Sequence, residues 1–221
     1  MIFPIHYLKP ILILIAIVFP CTLTGFFISM QKDQRFVLSI NSITYLFLIL
    51  LCIWTGFVEM IQLPDNLLWY LIGIVMGFIC IYFEIFIGKF RYYLKTKVWL
   101  RKVEIHESVK VKHWLIDIAF ILIGALGEEM IFRQILFYIT MDIFGWSSIF
   151  VLLFSSIIYG LNHIFFSRVA VVQKVFSGVI FSLLFLLSNN SVIIPILAHF
   201  TQNLILYILA GSKREGIVWR N

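Results

Sequence analysis

Charge is scarce in this chain. Only 13% of its 221 residues are charged, against about 25% in a soluble globular domain. Turn-forming and linker-forming residues are few as well, with five prolines and no Ser/Gly/Pro-rich tract, so nothing divides the chain into separate domains. No internal repeat is visible. The three cysteines, Cys21, Cys52 and Cys80, lie inside apolar runs without metal-type spacing, which reads as small packing residues and excludes a disulfide framework. Strict apolar/polar alternation is missing too, which argues against a transmembrane β-barrel. What fills the sequence is apolar side chains: 62% hydrophobic residues, including 23 phenylalanines, and a mean hydropathy of +1.04. The expected fold is all-α, a polytopic helical membrane protein. The first apolar run, from Ile11, lacks a small-x-small cleavage pattern and reads as a retained span.

A helix crosses the hydrocarbon with about 20 mostly apolar residues. Seven segments meet this measure loosely: 10–30, 37–62, 66–88, 114–140, 146–166, 169–188 and 191–211. The 114–144 stretch is long and invites a break near Gly124 or Gly127. Every second connection is basic. Lys32 and Arg35 mark the first, eight Lys and Arg residues the 89–113 loop, Arg168 the 166–169 turn, and Lys213 and Arg214 the tail. The intervening connections carry only Asp65, Asp142 or no charge. By the positive-inside rule the amino terminus is outside and the carboxyl terminus cytoplasmic. The net charge of +6 therefore belongs to cytoplasmic loops rather than to nucleic-acid binding, with anionic lipid headgroups as the partner of the 89–113 loop. The expected organisation is one structural domain. Residues 1–113 supply three helices and the basic loop, 114–211 a four-helix core, and 212–221 a tail.

Against this background GEEMIFRQ, residues 127–134, stands out. One charge at mid-membrane costs about 2.5–3.5 kcal/mol on insertion scales, so an ionisable group there suggests function and asks for a partner. Glu129 and Arg133 are four apart and share a helix face. Glu128 points about 100° away and has no local partner, which suits a general base. Two other apolar stretches offer company: SSIIYGLNHIFF, with Tyr159 one turn before His163, and IIPILAHFTQNLILYIL, with His199 and Asn203 on one face. Either histidine alone is more often an ordinary core residue. Polar groups on three separate spans lower their cost by meeting at one hydrated cavity. Taken literally, the span limits put Glu128 and His163 on the order of 15 Å apart in depth. Glu59, Glu84, Asp117, Asp142 and Lys174 lie near span ends, where side chains reach the interface. Ser155 and Ser156 lack a nucleophile-elbow signature and read as helix-packing serines.

GEEMIFRQ resembles the EExxxR motif of the CPBP (CAAX protease, or Abi) family of membrane proteins. Tyr159-Gly-Leu-Asn-His163 resembles its FxxxH motif, and His199-Phe-Thr-Gln-Asn203 its HxxxN motif. All three occur in order over residues 114–207. Tyr159 stands where phenylalanine is usual, and Gln134 where glycine is common. The resemblance implies an intramembrane endopeptidase, an integral protein of a bacterial plasma membrane, acting on a membrane peptide or lipidated protein. Glu128, helped by His163, would activate water. His199 and Asn203 would stabilise the oxyanion, and Glu129, Arg133 and Tyr159 would support the site. Glu128, His163 and His199 are also a conceivable zinc set, but HExxH is absent and the metal-free scheme is favoured. The competing readings are a non-catalytic immunity or scaffold protein that keeps the motifs, and a small transporter using Glu128 and His163 as a proton relay. The transporter lacks repeat symmetry.

Overall fold

The computed structural model describes residues 7–18, 34–57, 61–100 and 114–211. Over these residues the chain is all-helical, without a strand. In chain order the α-helices are α1 (Leu8–Val18), α2 (Gln34–Thr55), α3 (Leu68–Thr96), α4 (Trp114–Glu129), α5 (Ser148–Leu161), α6 (Arg168–Leu187) and α7 (Ile193–Gly211). Two π-helical segments, Met130–Ile135 and Tyr138–Ile143, continue α4. Two helices, α3 and α6, are long and apolar enough to cross a membrane; α1, α5 and parts of α2 and α7 form shorter apolar helices. Their outward faces carry Trp54, Tyr82, Ile149 and Leu187, as expected where the surroundings are lipid. Cys21 and Glu59 lie outside the described residues. Cys52 and Cys80 are free and buried.

Local chemistry sets the helix ends. The Asn66 side chain accepts the Leu68 N–H at 2.8 Å before α3, and Ser167 accepts from Ala170 at 2.9 Å before α6, each satisfying an otherwise orphaned donor. Lys97 closes α3 with φ 60°. Asn189 and Asn190 turn the chain between α6 and α7 with φ of 61° and 56°, in the left-handed region that asparagine tolerates better than most residues.

Two boundaries differ from the sequence reading. The third helix does not stop at 88 but continues to Thr96, so Lys89, Arg91 and Lys95 stand on its last turns rather than in a loop. The stretch 101–113, which completes the expected basic loop, lies outside the described residues. The fourth helix passes through Gly124 and Gly127 unbroken and changes geometry only at Met130. Gly127 serves packing instead: a Cβ there would collide with the Tyr45 side chain of α2.

The helices pair as α5 on α6, α3 on α7 and on α6, and α4 on α2 and on α7. Gly77 lets α3 approach α7, since a Cβ would come within 2.6 Å of the Ala198 carbonyl oxygen. Small residues at a crossing serve this purpose in membrane helices. The core runs along the π segments, where Ile131, Phe132, Ile135, Leu136 and Ile139 are fully buried, and on to Phe181, Ile194 and Ala198.

Candidate active site

The change from α to π geometry falls directly after the two glutamates. A π turn carries an extra residue and leaves backbone groups poorly paired, and such turns concentrate at functional sites. Here Ser155 on α5 donates to the Phe132 carbonyl at 2.7 Å, tying the π segment to its neighbour.

Glu129 and Arg133 are both fully buried and form an ion pair, with Nε 3.1 Å from Oε2. That contact lacks hydrogen-bond alignment. The aligned bonds of the guanidinium are Nη1 to Glu129 Oε1 at 3.5 Å and Nη2 to the Gly178 carbonyl on α6 at 3.1 Å. Its flat face covers the Tyr159 ring at 4.6 Å and the Phe181 ring at 5.5 Å. Arginine suits both tasks because its charge is spread over a plane.

Glu129 has a second partner that spacing alone does not reveal. His199 of α7 donates from Nδ1 to Glu129 Oε1 at 2.8 Å; an ionised carboxylate only accepts, so the proton lies on Nδ1. The imidazole stacks on Phe181 with ring centroids 5.1 Å apart. Its other nitrogen, Nε2, faces Glu128 Oε2 at 3.9 Å and the Tyr159 hydroxyl at 3.4 Å. Glu128 is 14% exposed, yet its Oε2 is shielded from solvent and has no hydrogen-bond partner.

His163 follows the last turn of α5, half-buried. Its Nδ1 donates to the Tyr159 carbonyl at 2.9 Å, and its ring lies 5.1 Å from the Tyr159 ring. Tyr159 therefore links His163 to His199. Glu128 faces His199, and His199 meets Tyr159, one turn before His163, so the residues set apart by literal span limits join one chain of contacts. Asn203 lies one turn beyond His199 on α7, half-buried, without a described hydrogen bond to the other residues. Among the described residues no three His, Cys, Asp or Glu side chains, Glu128, His163 and His199 included, are grouped as a metal-ion cluster.

A second ion pair joins two other helices, where the span-end reading expected interfacial side chains. Lys174 on α6 pairs with Glu84 on α3 at 2.8 Å, Ser177 donates to the same carboxylate at 3.4 Å, and Gln202 on α7 donates to Ser177 at 3.5 Å. The signal available was one acid and one base within separate apolar runs, each able to neutralise the other. Asp117 is likewise buried, accepting from Tyr207 at 3.0 Å, whereas Asp142 is exposed in the second π segment. Ser156 donates to the Leu152 carbonyl of its own helix at 2.7 Å.

Comparison with curated proteins and with solved structures gave no match. Comparison with protein families gave one, to the model described as type II CAAX prenyl endopeptidase Rce1-like, over residues 110–205. The match spans the two glutamates, both histidines and Asn203. Residues 110–205 are thus similar to an Rce1-like endopeptidase domain, as the CPBP resemblance implies, and this supports a membrane endopeptidase in kind.

Proposed function

We propose that this chain hydrolyses a peptide bond of a small membrane-associated peptide or lipidated protein, with Glu128 as the general base. The observation that carries the reading is the state of Glu128. Its Oε2 is shielded and unpartnered, and it faces His199 across the gap between two helices, while Glu129 is already committed to Arg133 and His199. A carboxylate oxygen left free in such a place can accept a hydrogen bond from water and then take its proton.

In the reaction, Glu128, assisted by His163, takes a proton from water as the oxygen attacks the scissile carbonyl. His199, carrying a proton on Nε2, and Asn203 donate to the oxyanion, an interaction that is strong in a dry, preorganised site. Glu128 then passes its proton to the departing amine nitrogen as the C–N bond breaks. No metal takes part. The chain sits in a membrane, in our reading the bacterial plasma membrane, as seven spans with an external amino terminus and a cytoplasmic carboxyl terminus. The basic residues of 89–113 lie against anionic headgroups.

The test is cleavage of a membrane-peptide library by purified protein in lipid, with Glu128→Gln and a chelator as controls. Wild type is expected to cleave with or without chelator, and Glu128→Gln to lose about 10²-fold or more in kcat while melting like wild type. Equal cleavage by the variant would overturn the assignment of the base. Full biological activity without cleavage would leave the motifs in a binding protein.

A further inference from the structure

Resting on the endopeptidase reading, we infer that the Tyr159 hydroxyl is a positioning group for His199, holding the Nε2 edge of the imidazole while Glu129 holds Nδ1. Tyr159 is where the three motif stretches meet. Its ring lies beneath the Arg133 guanidinium at 4.6 Å, edge-on to Phe132 at 5.5 Å, and T-shaped to His163 at 5.1 Å and His199 at 6.0 Å. Its main-chain carbonyl accepts from His163. None of these contacts needs the phenolic oxygen; a phenylalanine would keep them all.

The oxygen makes one described contact, with His199 Nε2 at 3.4 Å, in a side chain that is completely buried. A buried hydroxyl without that contact would bear its desolvation penalty with no return, so the contact accounts for its presence. The bond is long for an O–H···N contact. Its value comes from the ambivalence of a phenol, which can donate or accept. The Glu129 carboxylate keeps Nδ1 a donor, so Nε2 is the nitrogen whose state varies. With Nε2 bare, the phenol donates to it; with Nε2 protonated, the phenol accepts until an oxyanion forms and shares that N–H. The imidazole therefore keeps one orientation in either state. Nε2 is also the atom that faces Glu128, so the hydroxyl fixes the edge of the ring that meets the reacting carbonyl.

Tyr159→Phe in the full-length protein, in lipid nanodiscs with isotope-labelled histidine, isolates the oxygen. The His199 Nε2 resonance is expected to move and broaden, while Nδ1 and the melting temperature hold. In the peptide assay kcat is expected to fall about tenfold with KM changed less than about twofold, the pattern of an interaction that matters in the transition state. An unmoved Nε2 resonance, or a variant with wild-type kcat, would overturn the inference. Should Tyr159→Phe fail to fold, fluorotyrosine incorporated into the wild-type chain strengthens the phenol as a donor and must move the same resonance. The two readings fail separately. Wild type that cleaves nothing, yet shows the Nε2 response, removes the endopeptidase and leaves the positioning contact. Equal cleavage by wild type and Tyr159→Phe does the reverse.

Discussion

At the scale of single residues, the site is a chain of commitments that ends on one uncommitted oxygen. Arg133 is held by Glu129 and the Gly178 carbonyl, Glu129 also holds His199, and Glu128 Oε2 is left over. Two adjacent glutamates should therefore respond differently to mutation. Glu129→Ala orphans a fully buried guanidinium, and breaking such a pair costs about 3–5 kcal/mol; a large drop in thermal stability in detergent is the expected result. Glu128→Gln breaks no described hydrogen bond of Oε2 and should melt within a few degrees of wild type. A reversed order would mean that Glu128, not Glu129, supports the fold. The motif residues were legible in the sequence because charges in apolar surroundings are conspicuous and the four-residue spacing of Glu129 and Arg133 pairs them locally. The bond from Glu129 to His199 was not legible, since it joins positions 70 apart and depends on how α4 lies against α7.

At the scale of elements, the helices were visible as apolar runs, but their ends and inner geometry were not. Hydropathy stops counting at Lys89, whereas backbone hydrogen bonding carries α3 on to Thr96. The π segments leave no mark in composition, because they arise from how the chain fits against α2 and α5. Nor does periodicity tell which span-end charges meet, so Glu84 and Lys174 looked like interfacial side chains until the packing of α3 on α6 joined them. Lys174→Met alone leaves Glu84 buried and unpaired and should destabilise by about 3–5 kcal/mol. The double change to Glu84→Gln and Lys174→Met should recover most of that loss, because a buried pair is often replaceable by neutral groups. Denaturation of the two singles and the double in one detergent measures this. Additive losses would mean that the two charges do not interact. Gly77→Leu tests the α3–α7 crossing in the same way; with the Ala198 carbonyl 2.6 Å from a built Cβ, a loss of about 1–3 kcal/mol is expected from overpacking.

At the scale of the whole molecule, the expected topology can be read by labelling. Single cysteines placed at Asp65 and at Lys213, in a background without Cys21, Cys52 and Cys80, should react with an impermeant reagent from outside and from inside respectively. Labelling of both from one side would break the alternation of basic connections. The length of α3 carries a further consequence. Its apolar part, 68–88, spans about 31 Å, close to the roughly 30 Å of hydrocarbon, and Gly77 presses it against the helix that bears His199. A rod matched to one thickness leans once that solvent thins. Bilayer thickness thereby becomes a dial on the spacing between α3 and the His199 imidazole. On the proposed function, hydrolysis measured across lipids of increasing acyl length should pass through a maximum, with the membrane as an adjustable part of the site.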